Sequence, residues 1–187
     1  MVASDLHGSD YYTAQLADAF EKEGAGKLLL LGDILYHGPR NDLPREYAPK
    51  KVAERLNALA GRVVSVRGNC EAEVDQMVLH FPVLSDSCLL FCKGRTIFAT
   101  HGHLFHEGNL PPLAKGDILL HGHTHVPALE VRENYIYMNP GSVSIPKENS
   151  PHGYMTLEDG VFTWSLSGLL HSYHIIAALG KAHEEGD

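Results

Sequence analysis

Cysteine is scarce in this 187-residue chain: Cys70, Cys88 and Cys92 are the only three. An odd number without paired spacing gives no disulfide framework. On one extended strand, Cys88 and Cys92 would stand about 13 Å apart at ~3.3 Å per residue, too far for a bridge. A reducing compartment is implied, and a cytoplasmic location is expected. No apolar run approaches the roughly 18 residues of a membrane-spanning helix, and Met1-Val2-Ala3-Ser4 does not read as a signal peptide. No membrane partner is therefore expected. Only two or three apolar residues precede Asp5, fewer than a buried first strand usually has, so either a few residues are expected to be missing from the start or the start to have been assigned late. Basic residues are outnumbered, 15 against 23 acidic ones, for a formal net charge of -8. An acidic surface repels a phosphate backbone, so no nucleic-acid polymer is expected as a partner. Bound divalent cations would offset that charge locally and still let a site attract phosphate.

What is present fits a folded protein. Hydrophobic residues make up 44% and charged residues 20% of the chain, values of a globular domain. The length suits one domain over residues 1–187, with a polar tail from about Gly180 expected to fray. Helices are predicted from about Ser9 to Glu23, capped by Ser9 with Leu16, Ala17 and Phe20 on one face, and from Ala48 to Ala60, with Val52, Ala53, Leu56, Leu59 and Ala60 on the apolar side. Strands are predicted at Val2-Ala3, Lys27 to Leu31 and Arg62 to Val66. This β-α-β-α-β rhythm argues for parallel strands under helices. The second half reads as strands, at Cys88 to Cys92, Arg95 to Thr100, Asp117 to Leu120, Leu129 to Arg132, Tyr135 to Met138, Tyr154 to Leu157 and Val161 to Leu166. Lys93-Gly94, Glu133-Asn134 and Glu158-Asp159-Gly160 are the expected hairpin turns.

Polar residues recur where these apolar strands end. Val2-Ala3 leads to Asp5-Leu6-His7, Leu28 to Leu31 leads to Gly32-Asp33, and Val63 to Val66 leads to Gly68-Asn69-Cys70. Ile97 to Thr100 leads to His101-Gly102-His103, and Ile118 to Leu120 leads to His121-Gly122-His123-Thr124-His125. Ligands in open α/β sheets bind beyond the carboxyl ends of strands, so five such ends carrying Asp, Asn or His point to one shared site. In extended chain, residues two apart face the same way. That pattern would let Asp5 and His7 approach one metal together and put His123 and His125 on one side, with Thr124 opposite. His121 is expected to turn away from the site, since it shares a phase with His123 only if the strand stays regular. The glycines would remove bulk where backbone comes close to the ions. Imidazole with carboxylate suits manganese, iron, zinc or nickel better than calcium.

Taken in order, Asp5-x-His7, Gly32-Asp33, Gly68-Asn69-Cys70-Glu71, His101-Gly102-His103 and Gly122-His123-Thr124-His125 resemble the calcineurin-like metallophosphoesterase superfamily. His37-Gly38-Pro39-Arg40-Asn41, Glu73-Val74-Asp75-Gln76-Met77 and the run from Asn139 to Lys147 resemble a bacterial phosphodiesterase branch of it. The resemblance runs from about Val2 to Leu166. It implies an α/β (α+β) four-layer αββα sandwich, two mixed β-sheets packed face to face with helices outside. It implies two divalent ions, manganese first, with iron, zinc or nickel as alternatives. Asp5, His7 and His125 would hold one ion, Asn69, His101 and His123 the other, and Asp33 would bridge them. The implied activity is hydrolysis of a small phosphodiester by attack of a hydroxide between the ions, a phosphoric diester hydrolase (EC 3.1.4.-).

The superfamily usually has a histidine after the asparagine of the third motif, often assigned as the leaving-group proton donor. Here that position is Cys70. A thiol is a poor donor to an alkoxide, so substrates with good leaving groups, or another donor, are expected. Asp33, Asn69, Cys70 and His103 are the candidate catalytic residues, His103 as a residue that orients phosphate or a metal ligand. Arg40 and Asn41 are candidate substrate contacts, and Arg67 is a candidate partner of an acid. His80, His106, His152, His171 and His174 are read as structural or surface residues. Exposed Tyr11, Tyr12 and Leu110 leave room for a homo-oligomer. Two other functions compete, a non-catalytic metal-binding scaffold on the same fold and a phosphomonoesterase. The metallo-β-lactamase pattern His-x-His-x-Asp-His is not supplied by His123-Thr124-His125-Val126-Pro127.

Overall fold

The computed structural model describes residues 1–167 and 172–178. Short apolar runs build the first strands. Val2–Ala3 (β1), Leu28–Leu30 (β2) and Val63–Ser65 (β3) pair in parallel, with Val2 opposite Leu29 and Leu29 opposite Val64. Two helices connect them. Asp10–Lys22 (α1) starts where the Ser9 hydroxyl accepts the Tyr12 N–H at 3.3 Å, satisfying one of the free donors of the first turn. Pro49–Ala58 (α2) has no side-chain cap, and Pro49 supplies a fixed φ in its first turn. Arg55 of α2 donates to Asp10 of α1 at 2.5 Å and holds its carboxyl below the usual range.

The remaining strands are Ser87–Cys92 (β4), Arg95–Thr100 (β5), Asp117–His121 (β6), Pro127–Val131 (β7), Tyr135–Pro140 (β8), His152–Glu158 (β9), Val161–Ser167 (β10) and Ser172–Ala178 (β11). The first sheet runs β11-β10-β9-β1-β2-β3 and the second β4-β5-β6-β8-β7, both mixed. Lys93-Gly94 and Asp159-Gly160 both have positive φ at both residues, 51° and 76° in the first, 50° and 84° in the second. This is the two-residue turn whose twist matches that of the flanking strands.

Period-two alternation divides the core. Val2, Leu29 and Leu31 face the second sheet and meet Ile97, Ala99, Ile118, Leu120 and Met138, with Phe162 and Trp164. Ala3, Leu28, Leu30 and Val63 face the other way and pack under Leu16 and Phe20 of α1 and Val52 and Leu56 of α2. Each of these large side chains contributes about 1.5–3 kcal/mol by leaving water. Thr13, not Ala17, completes the buried face of α1. The outer face of the second sheet is covered differently from the first. On that face Phe98 meets Phe105 of the 101–116 connection at 5.3 Å, and Leu89 and Phe91 remain exposed.

Three elements were not predicted, the first a single 3-10 turn at Ala60–Arg62 before β3. Glu73–Val78 (α3) is a short helix that leaves Val74, Met77 and Val78 exposed, and β11 extends the first sheet beyond β10. The tail expected from Gly180, and His171, lie outside the described residues. Among the described residues, no helix is long and apolar enough to cross a membrane.

Candidate metal centre

The connections after β1, β2, β3, β5 and β6 converge beyond the strand ends. Asp5, His7 and His125 are almost completely buried, with ligand atoms grouped within 4.8 Å of one another. His7 Nε2 lies 3.3 Å from His125 Nε2 and 3.6 Å from Asp5 Oδ1. Beside this group, His101 Nε2 lies 3.0 Å from Asn69 Oδ1 and 3.1 Å from His123 Nδ1. Asp33 stands between the two groups. Its Oδ2 is 3.6 Å from His7 Nε2 and its Oδ1 3.5 Å from His101 Nε2. All seven residues expected to meet do so. Asn69 is exposed and His123 half-buried, so the site opens to solvent on that side.

The way the backbone presents these groups differs from the sequence expectation. Asp5, His7, His123 and His125 are not extended. Their φ angles are 58°, 47°, 65° and 63°, and Asp33 has 55°. Left-handed backbone is sparsely populated for residues with a Cβ, and it occurs where surrounding structure holds it for function. Side chains two apart therefore converge because tight left-handed turns aim them, not because a strand alternates. The glycines serve the same turns. A Cβ on Gly122 would stand 1.9 Å from Ser4 Oγ, and one on Gly32 2.5 Å from the Gly68 nitrogen. They let loop meet loop beside the ligand carboxylates.

Hydrogen bonds fix the imidazole protons. A carbonyl oxygen only accepts, so the nitrogen facing it carries the hydrogen. His7 Nδ1 donates to the Tyr36 carbonyl at 2.8 Å, His101 Nδ1 to Leu31 at 2.7 Å and His125 Nδ1 to Ile145 at 2.7 Å. In the neutral rings, every Nε2 then presents a lone pair to the cluster. Two lone pairs facing at 3.3 Å, beside the buried and unpartnered Asp5 Oδ1, repel unless a cation lies among them. Imidazoles braced on carbonyls in this way are the usual surroundings of metal-binding histidines. The donor set thus fits divalent ions on its own geometry.

Electrostatics follow the same pattern. Burial opposes the charge of Asp5, yet the His125 and His7 rings beside it leave its carboxyl well below the usual range. Burial lowers the His7 pKa, but Asp5 and Asp33 outweigh it and raise the net value. Burial and neighbouring His101 push His123 down to about 4, so it is neutral at pH 7. Burial, with the Asp33 charge, raises the Cys70 thiol above its ordinary value. Burial, again with Asp33, lifts Glu71 to about 7.

Other predicted residues are placed as follows. Cys70 is half-buried, its N–H donates to Asp33 Oδ1 at 2.9 Å, and its sulfur is grouped with His7 and Asp33. His103 sits 5.3 Å from His101 between ring centroids, with a buried Nδ1 that has no partner. Burial and His101 lower its pKa. Asn41 Nδ2 donates to the His37 carbonyl at 2.8 Å and so closes its own loop, while Arg40 is exposed. Arg67 donates to the Glu71 carbonyl at 3.3 Å and lies 4.0 Å from Glu73. His121 is buried and stacks on Tyr137 at 4.6 Å, away from the cluster.

Sequence reasoning missed the supports. Ser142 and Ser144 hydroxyls donate to the Asp5 carbonyl at 2.9 and 3.0 Å and brace its strained turn. Both belong to the Asn139 to Lys147 run, which resemblance singled out without a role. Asp5 Oδ2 accepts the His123 N–H at 3.1 Å, tying the first and last loops together.

The model of the calcineurin-like phosphoesterase superfamily domain matches residues 1–159. The chain belongs to this superfamily. Within it, the chain is similar to Phosphodiesterase YfcE of Escherichia coli strain K12, 50% identical over 163 residues that cover 87% of this chain and 89% of that protein. It is also similar to the Probable metallophosphoesterase YsnB of Bacillus subtilis, 30% identical over 174 residues, covering 87% of this chain and 86% of that one. The solved structure of YfcE, described as a phosphoesterase from E. coli, superimposes with a TM-score of 0.90 at 47% identity, covering 96% of this chain and 98% of that chain. The two-sheet sandwich is thus a metallophosphoesterase fold.

Proposed function

We propose that this chain is a metal-dependent phosphodiesterase acting on a small phosphodiester through a two-ion centre. The observation that carries this reading is the approach of the His7 and His125 Nε2 atoms to 3.3 Å beside a buried Asp5 carboxylate oxygen without a hydrogen-bond partner, supported by half-identity with YfcE over most of both chains. Asp5, His7 and His125 would hold one ion, Asn69, His101 and His123 the other, and Asp33 would be shared between them. Manganese is the proposed ion, since oxygen and imidazole donors suit it, with iron, zinc or nickel as substitutes. Two such ions, when bound, make a water nucleophilic near neutral pH and offset charge on the phosphoryl oxygens.

The protein's own contribution is placement. Asn69 and His123 are the ligands on the open side, so the substrate phosphate arrives there. His103, beside them and neutral, orients the phosphoryl oxygens. Cys70 stands between Asp33 and the Gly38 turn and is the candidate donor to the leaving group. Its raised pKa keeps the thiol protonated but makes it a weak acid, which favours substrates with good leaving groups. The three unpaired thiols agree with a cytoplasmic site of action. We propose one functional domain spanning residues 1–187.

A chelated sample, reloaded with Mn2+ and given chromogenic phosphodiesters and monoesters, tests the reading. Metal-dependent diester hydrolysis is expected, and Asp33→Asn should lower it by at least ~10²-fold, because an amide offers one good donor oxygen where a bridge needs two. Hydrolysis of monoesters alone would favour a phosphomonoesterase. A metal-loaded chain without any hydrolysis would favour the scaffold.

A further inference from the structure

Glu71 is almost completely buried beside the metal centre, and its side-chain hydrogen bonds go to backbone N–H groups. Its carboxylate accepts three backbone N–H groups from two separate loops. Oε2 accepts from Asp33 at 2.8 Å and from Gly68 at 2.5 Å, and Oε1 accepts from Ile34 at 2.7 Å. One loop carries Asp33, and the other carries Asn69. The two come so close that a Cβ on Gly32 would overlap the Gly68 backbone, and one on Gly68 would stand 2.2 Å from Asp33 Oδ1. Three N–H groups aimed at one another across such a gap repel, and a buried acceptor with two oxygens is what lets them share it.

We propose that Glu71 is a positioning residue that fixes the distance between Asp33 and Asn69, and thereby the pairing of the two ions. This rests on the two-ion reading of the site. Asp33 sits in left-handed backbone at φ 55°, and its own N–H is one of those that Glu71 holds. Loss of the acceptor frees the turn that aims the shared carboxylate. Two-ion centres act as a clamp only at separations of roughly 3.5–4 Å, so a small drift of Asp33 from Asn69 uncouples the ions before it prevents either from binding. Cys70, between Asn69 and Glu71, is carried on the same staple through its N–H to Asp33.

The test uses Glu71→Gln in the full chain, with Mn2+ alone as the probe. The amide nitrogen replaces one acceptor oxygen and opposes at least one of the three N–H groups. Titration should show the weaker of the two Mn2+ events lowered by about 10–100-fold, the range typical for lost ligand supports. Electron paramagnetic resonance should show the spin-coupled Mn2+ pair replaced by signals of isolated ions at equal metal content. A merely structural role would move the melting temperature without changing that coupling. Glu71→Asp, which keeps the charge but reaches fewer of the N–H groups, should restore part of the coupled signal. Unchanged affinities and an unchanged coupled signal in Glu71→Gln would overturn the proposal, as would failure of both variants to fold. If the unaltered chain shows no coupled pair, the two-ion reading itself fails; if it does and Glu71→Gln keeps it, only the role of Glu71 fails.

Discussion

Cys70 concentrates the chemistry that a single side chain decides. Its N–H is committed to Asp33 Oδ1 and its sulfur is reached by Asn69 Nδ2 at 3.3 Å, so the thiol is held beside Asp33 and Asn69 whatever its role. If it protonates the departing oxygen, removal should hurt substrates in proportion to the basicity of what leaves. Cys70→Ser is expected to slow diesters of alkyl alcohols by about 10–100-fold, within the range of a weak general acid, and to leave nitrophenyl diesters nearly unchanged, since nitrophenolate needs no proton. A plot of log kcat against leaving-group pKa should therefore steepen in the variant. Parallel lines for the two proteins would remove Cys70 from the proton path and leave it as a packing residue against Gly38.

At the scale of elements, the decisive devices are turns held in left-handed backbone. Gly122 separates β6 from the His123–His125 turn, and its Cα faces Ser4 and Asp5. A methyl there would lie 1.9 Å from Ser4 Oγ and 2.8 Å from Asp5 Oδ2. The Asp5 oxygen is also the acceptor of the His123 N–H, so Gly122→Ala must push apart the two loops that share it. Gly24 makes the contrast. It follows α1 at φ 63° with open space around it, and Gly24→Ala should cost only about 1 kcal/mol of conformational strain. Gly122→Ala should lower Mn2+ affinity by at least tenfold, whereas Gly24→Ala should leave it unchanged; calorimetric titration of both separates steric from conformational cost. The strand ends carrying these turns were legible because apolar runs stop abruptly at Asp, Asn and His. The left-handed conformation was not legible, because nothing in Asp5-Leu6-His7 distinguishes an extended triplet from a turn. Helix α3 was hidden for another reason. Val74, Met77 and Val78 are exposed, so no buried face marks its period, and Asp75 accepting the Ala72 N–H at 2.8 Å starts it. Glu71 was visible only as part of a motif, since its three backbone partners come from loops far apart in sequence.

Across the whole molecule, the cluster gathers more ionisable groups than a neutral core tolerates, and its pH dependence follows from their opposed shifts. His123 has a folded pKa near 4 against 6.5 for an ordinary histidine, first through burial and then through His101. Between about pH 4 and 6.5 the unfolded chain therefore binds the proton that the folded chain refuses, and stability contributed at this residue is lost as pH falls through that window. Glu71 acts in the opposite direction. Raised from 4.5 to about 7 by burial and then by Asp33, its folded carboxyl holds a proton that the unfolded one releases, so stability falls as pH rises between those values. In the metal-free chain the two slopes partly cancel, and a single unfolding profile would hide both. His123→Gln removes one of them. The difference in urea-unfolding free energy between the unaltered chain and His123→Gln, measured in chelator, should grow with pH from about 4 to 6.5 and stay level above it. A difference independent of pH would mean that His123 meets solvent freely and is not held neutral. In the unaltered protein, that neutrality leaves Nδ1 free to accept an ion at pH values where an ordinary histidine would carry a competing proton.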